Sequence, residues 1–189
     1  MTLRSGHVHI DDKWKQTLDD AVEAGQEYVI CSSMPARAQT VDNYKKTAEV
    51  FNKSGEECNK HNLKFGYHNH EYEFESEKGE VLFDVLVKNT DANLVHMELD
   101  LGWVIIGGKN PLDYFKNFPG RFPLWHVKDL DAKRETILPV GEGTIDYKRI
   151  FDAASTSGMK HFFVEHDMPK DALASITSSY NYLKKMLAS

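Results

Sequence analysis

The amino-acid sequence predicts an α/β fold in which parallel strands alternate with helices. Short β-rich runs begin near residues 27, 64, 95, 123 and 161, a spacing of roughly thirty to thirty-seven residues, and helical patterns fill the intervals. No Gly-x-Gly-x-x-Gly follows a strand, so a dinucleotide-binding fold has no support. Polar residues gather instead at the C-terminal ends of the strands, where a (β/α)8 barrel places its active site.

Local patterns and capping residues predict each element in turn. Asp11 or Asp12 caps a first helix that runs to about residue 24, and Thr40 caps a long helix that runs to about residue 62. Pro111 fits the first turn of a later helix. Strands are expected at 6–10 (the end of one), 27–32, 65–70, 95–100, 123–129 and 161–167, further helices at 83–89, 111–118, 146–157 and 172–187, a polar turn at 75–80, and loops at 33–39 and 130–143.

The number of strands leaves two architectures open. A complete (β/α)8 barrel has eight units and typically about 250 residues. This chain has 189 residues and five clear strands, or six with the short run at 6–10. The fold is therefore either an open α/β sheet or an incomplete barrel of about six βα units that lacks the first two.

Composition limits the classes of function. The formal net charge of -6 argues against binding nucleic acid through bulk electrostatics. The sequence contains no run of eighteen apolar residues, so no transmembrane helix is predicted. The first residues lack the apolar core of a signal peptide. Cys31 and Cys58 are too few for a disulfide scaffold and lack metal-type spacing. A single domain in the cytoplasm is the default expectation, although the true N-terminus could lie upstream of Met1.

Side chains that can bind metal follow four of the predicted strands. Histidine and carboxylate ligands from separate strands suit Mn²⁺, Co²⁺, Zn²⁺, Fe²⁺ or Mg²⁺. Such an ion polarises a carbonyl and a neighbouring hydroxyl, and a nearby carboxylate can take the proton from the adjacent carbon. Because side chains alternate along a strand, each pair shares one face: His68 with His70, Asp100 with Glu98, His126 with Lys128, and Glu165 with Asp167.

Five motifs in order resemble the sugar phosphate isomerase/epimerase family, which has the xylose isomerase-like TIM barrel. They are GYHNHEYEF at 66–74, MELDLGW at 97–103, PGRFPLWHVKD at 119–129, VGEGTID at 140–146 and FVEHD at 163–167. The family includes ketose 3-epimerases, inosose dehydratases and relatives of endonuclease IV. The resemblance extends from the third family strand to the C-terminus. It favours the barrel that lacks its first two units over the open sheet.

The resemblance implies a divalent metal ion and a set of roles for the residues that hold it. The family's metal positions fall on His68, Asp100, His126 and Glu165. Many epimerase members have a glutamate where this chain has His68, and that glutamate is one of their two acid/base groups. Glu165 is therefore the better candidate for the base. His70 and Lys128 could hold substrate oxygens or donate a proton, and Trp103 and Glu142 could contact the substrate.

Several of these residues also have a plain structural interpretation. Asp100 could cap the helix or loop after its strand, and Lys128 could form an ion pair with Asp129, Glu98 or Asp100. Trp103 could serve packing alone, and the Gly-Glu-Gly run around Glu142 could be a tight turn. His7 and His9 could face the same site from the end of the first strand.

The expected function is that of a metal-dependent sugar isomerase or epimerase, or a related keto-sugar lyase or dehydratase, acting on a small-molecule sugar with neither nucleic acid nor membrane as partner. The alternative is an inactive or assembly-dependent barrel fragment that binds sugars without turnover. Phosphodiester cleavage is disfavoured by the acidic charge and by too few ligands for a three-metal cluster. An incomplete barrel exposes sheet edges, so we expect a homo-oligomer to cover the open edge unless the sequence lacks its true start.

Overall fold

The computed structural model describes residues 3–5, 12–34 and 38–188. These residues fall into two compact units, which divide after Glu98. The predicted strand at 6–10, with His7 and His9, lies outside the described residues, as does Asp11.

The first unit alternates strands and helices along the chain. Its strands β1, β2, β3 and β6 lie side by side in that order, and each adjacent pair is parallel. A small antiparallel hairpin of β4 and β5 follows a 3₁₀ turn at Tyr72–Phe74. The elements are β1 Leu3–Ser5, α1 Asp12–Glu23, β2 Tyr28–Cys31, α2 Val41–Lys60, β3 Lys64–His68, β4 Ser76–Glu77, β5 Glu80–Val81, α3 Leu82–Asn89 and β6 Val95–Asp100, whose last two residues belong to the second unit.

Helix α2 packs its apolar face on strand β3. The ring of Phe51 lies 5.2 Å, centroid to centroid, from both Phe65 and Tyr67. The helix approaches the backbone so closely at Gly55 that a Cβ there would lie 2.3 Å from the carbonyl oxygen of Leu94. Only glycine fits this contact without moving the backbone. The packing fixes β3, and with it the position of His68 at its end.

The second unit repeats the alternation around a pair of parallel strands, β7 and β10. The indole of Trp125 stacks on Phe115 at 4.9 Å and meets Phe151 edge to face at 5.5 Å, so the helices before and after β7 in the chain both pack on this one side chain. The elements are α4 Leu101–Ile106, α5 Pro111–Asn117, β7 Leu124–Val127, β8 Asp129–Leu130, β9 Ile137–Leu138, α6 Tyr147–Asp152, α7 Ala154–Ser157, β10 His161–Val164 and α8 Ala172–Leu187.

The predicted alternation is confirmed, and so are several boundaries. Helix α8 has its predicted bounds, β6 spans 95–100, and Thr40 caps α2 by accepting a hydrogen bond from the N–H of Asn43 at 3.3 Å. Asn110 and Pro111 open α5 as an N-cap and first-turn pair.

Other expectations were wrong in detail. Strand β3 ends at His68 and β10 at Val164, so His70, Glu165 and Asp167 follow the strands and do not lie within them. The predicted helix 146–157 is divided into α6 and α7 at Ala153. The polar turn at 75–80 and the loop at 130–143 each contain a two-stranded hairpin, and the short helix α4 was not predicted. Among the described helices, none combines the length and apolar character that crossing a membrane requires.

Candidate functional site

The charged site residues of the second unit meet around the ammonium group of Lys128. Its Nζ lies 3.0 Å from Asp100 Oδ2, 3.2 Å from Glu165 Oε2 and 2.8 Å from Asp167 Oδ2. The Lys128 side chain is only 3% exposed and that of Asp100 is fully buried, whereas Glu165 is 19% and Asp167 42% exposed. Solvent therefore reaches this cluster from the side of Glu165 and Asp167.

His126 joins the same cluster from the end of β7. Its Nδ1 lies 2.5 Å from Glu165 Oε2 and 3.9 Å from Asp100 Oδ2, and the imidazole is nearly buried. The second unit alone therefore brings together three predicted metal ligands, Asp100, His126 and Glu165.

The carboxylates around Lys128 keep it charged. Burial on its own lowers the pKa of Lys128, but attraction to Asp100, a hydrogen bond to Asp167 and attraction to Glu165 raise it above its ordinary value. Lys128 therefore carries its proton at neutral pH. The predicted ion pair between Lys128 and Asp100 is confirmed, whereas Asp129 serves a different purpose.

Asp100 caps a helix with one carboxylate oxygen and faces the charged cluster with the other. Its Oδ1 accepts a hydrogen bond from the backbone N–H of Trp103 at 2.9 Å and so caps α4. Its Oδ2 is the atom that faces Lys128 and His126. The ring of Trp103 lies 4.8 Å from Lys128 Nζ, in cation–π geometry. Trp103 thus contacts the cluster and does more than fill space.

Asp129 anchors the loop that carries Glu142. Its buried carboxylate accepts hydrogen bonds from the backbone N–H groups of Leu130, Gly141, Gly143 and Ile145. A Cβ at position 143 would lie 2.2 Å from Asp129 Oδ1, so the loop can close on this carboxylate only with glycine there.

The side chain of Glu142 points towards α8. Its Oε1 accepts a hydrogen bond from Ser178 Oγ at 2.5 Å, and the N–H of Val140 donates to Ser179 Oγ at 2.9 Å. The Gly-Glu-Gly run is therefore a fixed turn between Asp129 and the last helix. Glu142 nevertheless lines a cavity together with Asp167.

In the first unit, His68 and His70 lie edge to face, with ring centroids 5.1 Å apart. His68 is buried, and its Nδ1 lies 3.4 Å from Glu98 Oε2, the residue opposite it in the register of β3 and β6. His70 stacks on Tyr72 at 5.5 Å, and its backbone N–H donates to Glu73 Oε2 at 2.7 Å.

Glu73 is a fully buried carboxyl group that the sequence analysis did not single out. Burial raises its pKa to about 8, against the opposing effect of hydrogen bonds from the Tyr67 hydroxyl and the His70 backbone N–H. The Glu-x-Glu run at 71–73 gave no signal of which glutamate is buried, because each of the two is followed by an aromatic residue. Asp129 was considered only as an ion-pair partner of Lys128, and its hydrogen bonds to Gly141 and Gly143 were not predicted.

Comparison with known proteins identifies the family. Residues 7–186 match the xylose isomerase-like TIM barrel family, so the chain belongs to that family and its fold is a barrel of this type, incomplete in the described strands. No match was found among curated proteins.

Two similar solved structures are sugar phosphate isomerase/epimerase proteins from Parabacteroides distasonis, each 28% identical to this chain. The first has a TM-score of 0.81, and the match covers 92% of this chain and 64% of the other. The second has a TM-score of 0.82, and the match covers 97% of this chain and 68% of the other. The chain thus spans about two thirds of their length. The IolI protein, solved with a bound zinc atom, is 15% identical with a TM-score of 0.71, over 93% of this chain and 66% of its own, and shares the fold.

The raised pKa of Glu73 predicts a pH-dependent stability. The folded protein holds this proton up to about pH 8, whereas the unfolded chain releases it near pH 4.5. The contribution of Glu73 to the free energy of unfolding is therefore fully present below pH 4.5 and is lost as pH rises towards 8. The total loss is at most about 5 kcal/mol. Urea unfolding of wild type and Glu73→Gln between pH 5 and 9 should show a smaller loss of stability in the variant.

The exposed neighbour Glu75 provides the control for this measurement, since Glu75→Gln removes the same charge without a buried proton. It should follow the wild-type curve. If the free energies of unfolding of the wild type and Glu73→Gln changed in parallel with pH, the assignment of a buried proton to Glu73 would be contradicted.

Proposed function

We propose that this protein is a divalent-metal-dependent sugar isomerase or epimerase that removes a proton next to a metal-polarised carbonyl. The observation that carries the proposal is the convergence of Asp100, His126 and Glu165 around Lys128 in the second unit. The similarity to sugar phosphate isomerase/epimerase structures supports the same reaction class. A related keto-sugar lyase or dehydratase would use the same first step.

The residues of the second unit suit a divalent ion. Asp100 Oδ2 and Glu165 Oε2 lie 3.9 and 2.5 Å from His126 Nδ1, close enough for one ion to reach all three. Two carboxylates and an imidazole form a mixed donor set typical of Mn²⁺, Co²⁺ or Zn²⁺ and acceptable to Mg²⁺. When bound, the ion supplies the Lewis acidity that makes the carbon next to a carbonyl acidic.

We place His68 as the fourth ligand. Glu98, opposite His68 in the parallel register, and Asp100 lie on the same face of β6, because they are two residues apart in one strand. The contact between His68 Nδ1 and Glu98 Oε2 orients the imidazole, as a carboxylate beside a metal-binding histidine commonly does.

The remaining roles follow from exposure and charge. Glu165 is the base, because it is the predicted ligand with the most exposed side chain in the second unit and can approach a substrate carbon. Lys128 holds a substrate oxygen and offsets its negative charge, and Trp103 forms the wall beside it. His70, held by Glu73 and stacked on Tyr72, binds a substrate hydroxyl or returns a proton.

Metal content tests the first half of the proposal. Elemental analysis should find about one divalent ion per wild-type chain and at least a tenfold lower content in His126→Ala. Added Mn²⁺ should raise the melting temperature of the wild type, because an ion that binds only the folded state stabilises it, and should leave the variant unchanged. His161→Ala, at the exposed start of β10, is the matched histidine control. A folded wild type that neither contains nor binds a divalent metal would refute the metal centre.

Proton transfer tests the second half. We expect the wild type to convert at least one member of a panel of ketoses and keto-sugars when Mn²⁺, Co²⁺ or Mg²⁺ is added, and to exchange the proton of the reacting carbon with deuterated solvent. Glu165→Gln should slow exchange by about 100-fold or more even at saturating metal, because the base is lost. Asp113→Asn, at an exposed position in α5, is the control. Substrate binding without exchange by the wild type would favour the sugar-binding alternative.

We further propose that a second copy of the chain covers the exposed apolar edge of the second unit. The side chains of Phe162, Phe163 and Val164 on β10 are only half-buried. Helix α8 also exposes four large apolar side chains to between 50% and 76%. They are Leu173, Ile176, Tyr180 and Leu187.

Light scattering at increasing protein concentration should reveal a homodimer. Ile176→Lys should shift the protein to a monomer, because a charge buried in an apolar interface is costly. Val50→Lys adds the same charge at a partly exposed apolar position on α2 and should leave the dimer intact. A wild type that remains monomeric over the whole concentration range would rule out this assembly.

A further inference from the structure

A cavity of about 640 Å³ opens in the second unit beside the Lys128 cluster. Its walls come from β9 and the turn before it, the loop that carries Glu142, the segment after β10 and the first turns of α8. Its volume lies in the range of small-molecule sites. The side chains that determine its chemistry are Glu135, Glu142, His166, Asp167, Lys170 and Asp171.

Asp167 connects this cavity to the proposed reaction centre. It lines the cavity and also accepts a hydrogen bond from Lys128 Nζ at 2.8 Å. Lys128 in turn contacts Glu165, the proposed base. The cavity therefore lies next to the proposed reaction centre and offers a place for the far end of a substrate held at Lys128 and Glu165.

The charges of the cavity wall are unsuited to a phosphate group. Four carboxylates line it, against the single ammonium of Lys170 and the imidazole of His166. Carboxylates accept hydrogen bonds from hydroxyl groups, but they repel a phosphate dianion. Phosphate sites are instead built from arginines, lysines and free backbone N–H groups.

The start of α8 does not change this balance, although it borders the cavity. The N-terminus of a helix attracts anions through its backbone N–H groups. Here the carboxylate of Asp171 caps the helix by accepting a hydrogen bond from the backbone N–H of Ala174 at 2.9 Å. The negative charge that this helix end favours is thus already supplied by the chain itself.

The wall is also fixed in place. Glu142 is held by the hydroxyl of Ser178, and its loop is held by Asp129, while His166 Nδ1 lies 2.7 Å from Ser175 Oγ. The hydrogen bond from Ser178 favours the orientation in which the carboxylate of Glu142 stays at the cavity wall. We propose, on the basis of the function proposed above, that this cavity binds the uncharged, hydroxyl-rich end of the substrate and selects free keto-sugars against their phosphate esters.

Matched pairs of ligands test this selectivity by binding. Isothermal titration calorimetry with Mn²⁺ present would compare D-fructose with D-fructose 6-phosphate and D-ribulose with D-ribulose 5-phosphate. Inorganic phosphate is the control for binding to the metal alone. We expect at least one free ketose to bind tenfold or more tightly than its ester at low salt. The ratio of the dissociation constant of the ester to that of the free ketose should shrink as salt is added, because salt screens the repulsion between the wall and the phosphate dianion.

Neutralising the wall gives the residue-level test. The double variant Glu135→Gln and Glu142→Gln should lower the ratio of ester to ketose dissociation constants at least fivefold, because the ester binds more tightly. Asp152 is an exposed carboxylate outside the cavity, so Asp152→Asn should leave this ratio unchanged. Ester binding as tight as that of the free ketose, a ratio unaffected by the double substitution, or failure of every free ketose to bind would overturn the inference.

Metal content and deuterium exchange measured on the same samples separate this inference from the proposed function. A protein that holds its ion and exchanges protons on phosphate esters would retain the proposed reaction and lose only the selectivity.

Discussion

The buried ammonium of Lys128 is the interaction on which the second unit depends. An ammonium that is 3% exposed would be several kcal/mol unfavourable without partners, and three carboxylates lie within 3.2 Å of it. The dependence is mutual, since Asp100 is itself fully buried and needs a cation. The end of β7, the end of β6 and the segment after β10 converge so that these buried charges compensate one another. This convergence brings potential metal ligands together at the same time.

Residues 128 and 129 connect the proposed reaction centre to the cavity proposed to bind substrate. Lys128 faces the charged cluster, while the adjacent Asp129 holds the loop of Glu142 through backbone N–H groups. The hydroxyl of Tyr147 donates to the Lys128 carbonyl at 2.5 Å and fixes the backbone between the two functions. A shift of this strand end would move the ammonium and the cavity wall together. The geometry of the charged cluster and the shape of the cavity wall thus depend on the same few atoms.

The sequence predicted those features that depend on neighbouring residues. Helix α2 and helix α8 were predicted closely, because the cap at Thr40 and the apolar spacing are local signals. The cluster in the second unit was predicted because parallel strands place their C-terminal ends at one edge.

What the sequence could not predict depends on contacts between distant residues. The hydrogen bond between Ser178 and Glu142 spans 36 positions, and the one between Gly141 and Asp129 spans 12. No local pattern indicates such partners. Burial of Glu73 likewise depends on how the turn at Tyr72–Phe74 folds over Tyr67, and both neighbouring glutamates look alike in the sequence.

Histidine at position 68 has a consequence for the type of reaction. In the proposed centre a divalent ion, Lys128 and the carboxylates Asp100, Glu165 and Asp167 sum to zero charge, and a neutral imidazole at position 68 leaves that sum unchanged. A glutamate there would add a negative charge and a second base. Epimerisation at one carbon needs proton transfer on both faces, whereas isomerisation between adjacent carbons can use one base that takes and returns the proton on the same face. With Glu165 as the proposed base and a neutral imidazole at position 68, the proposed donor set favours transfer between adjacent carbons, whereas a proton supplied by His70 to the opposite face would give epimerisation.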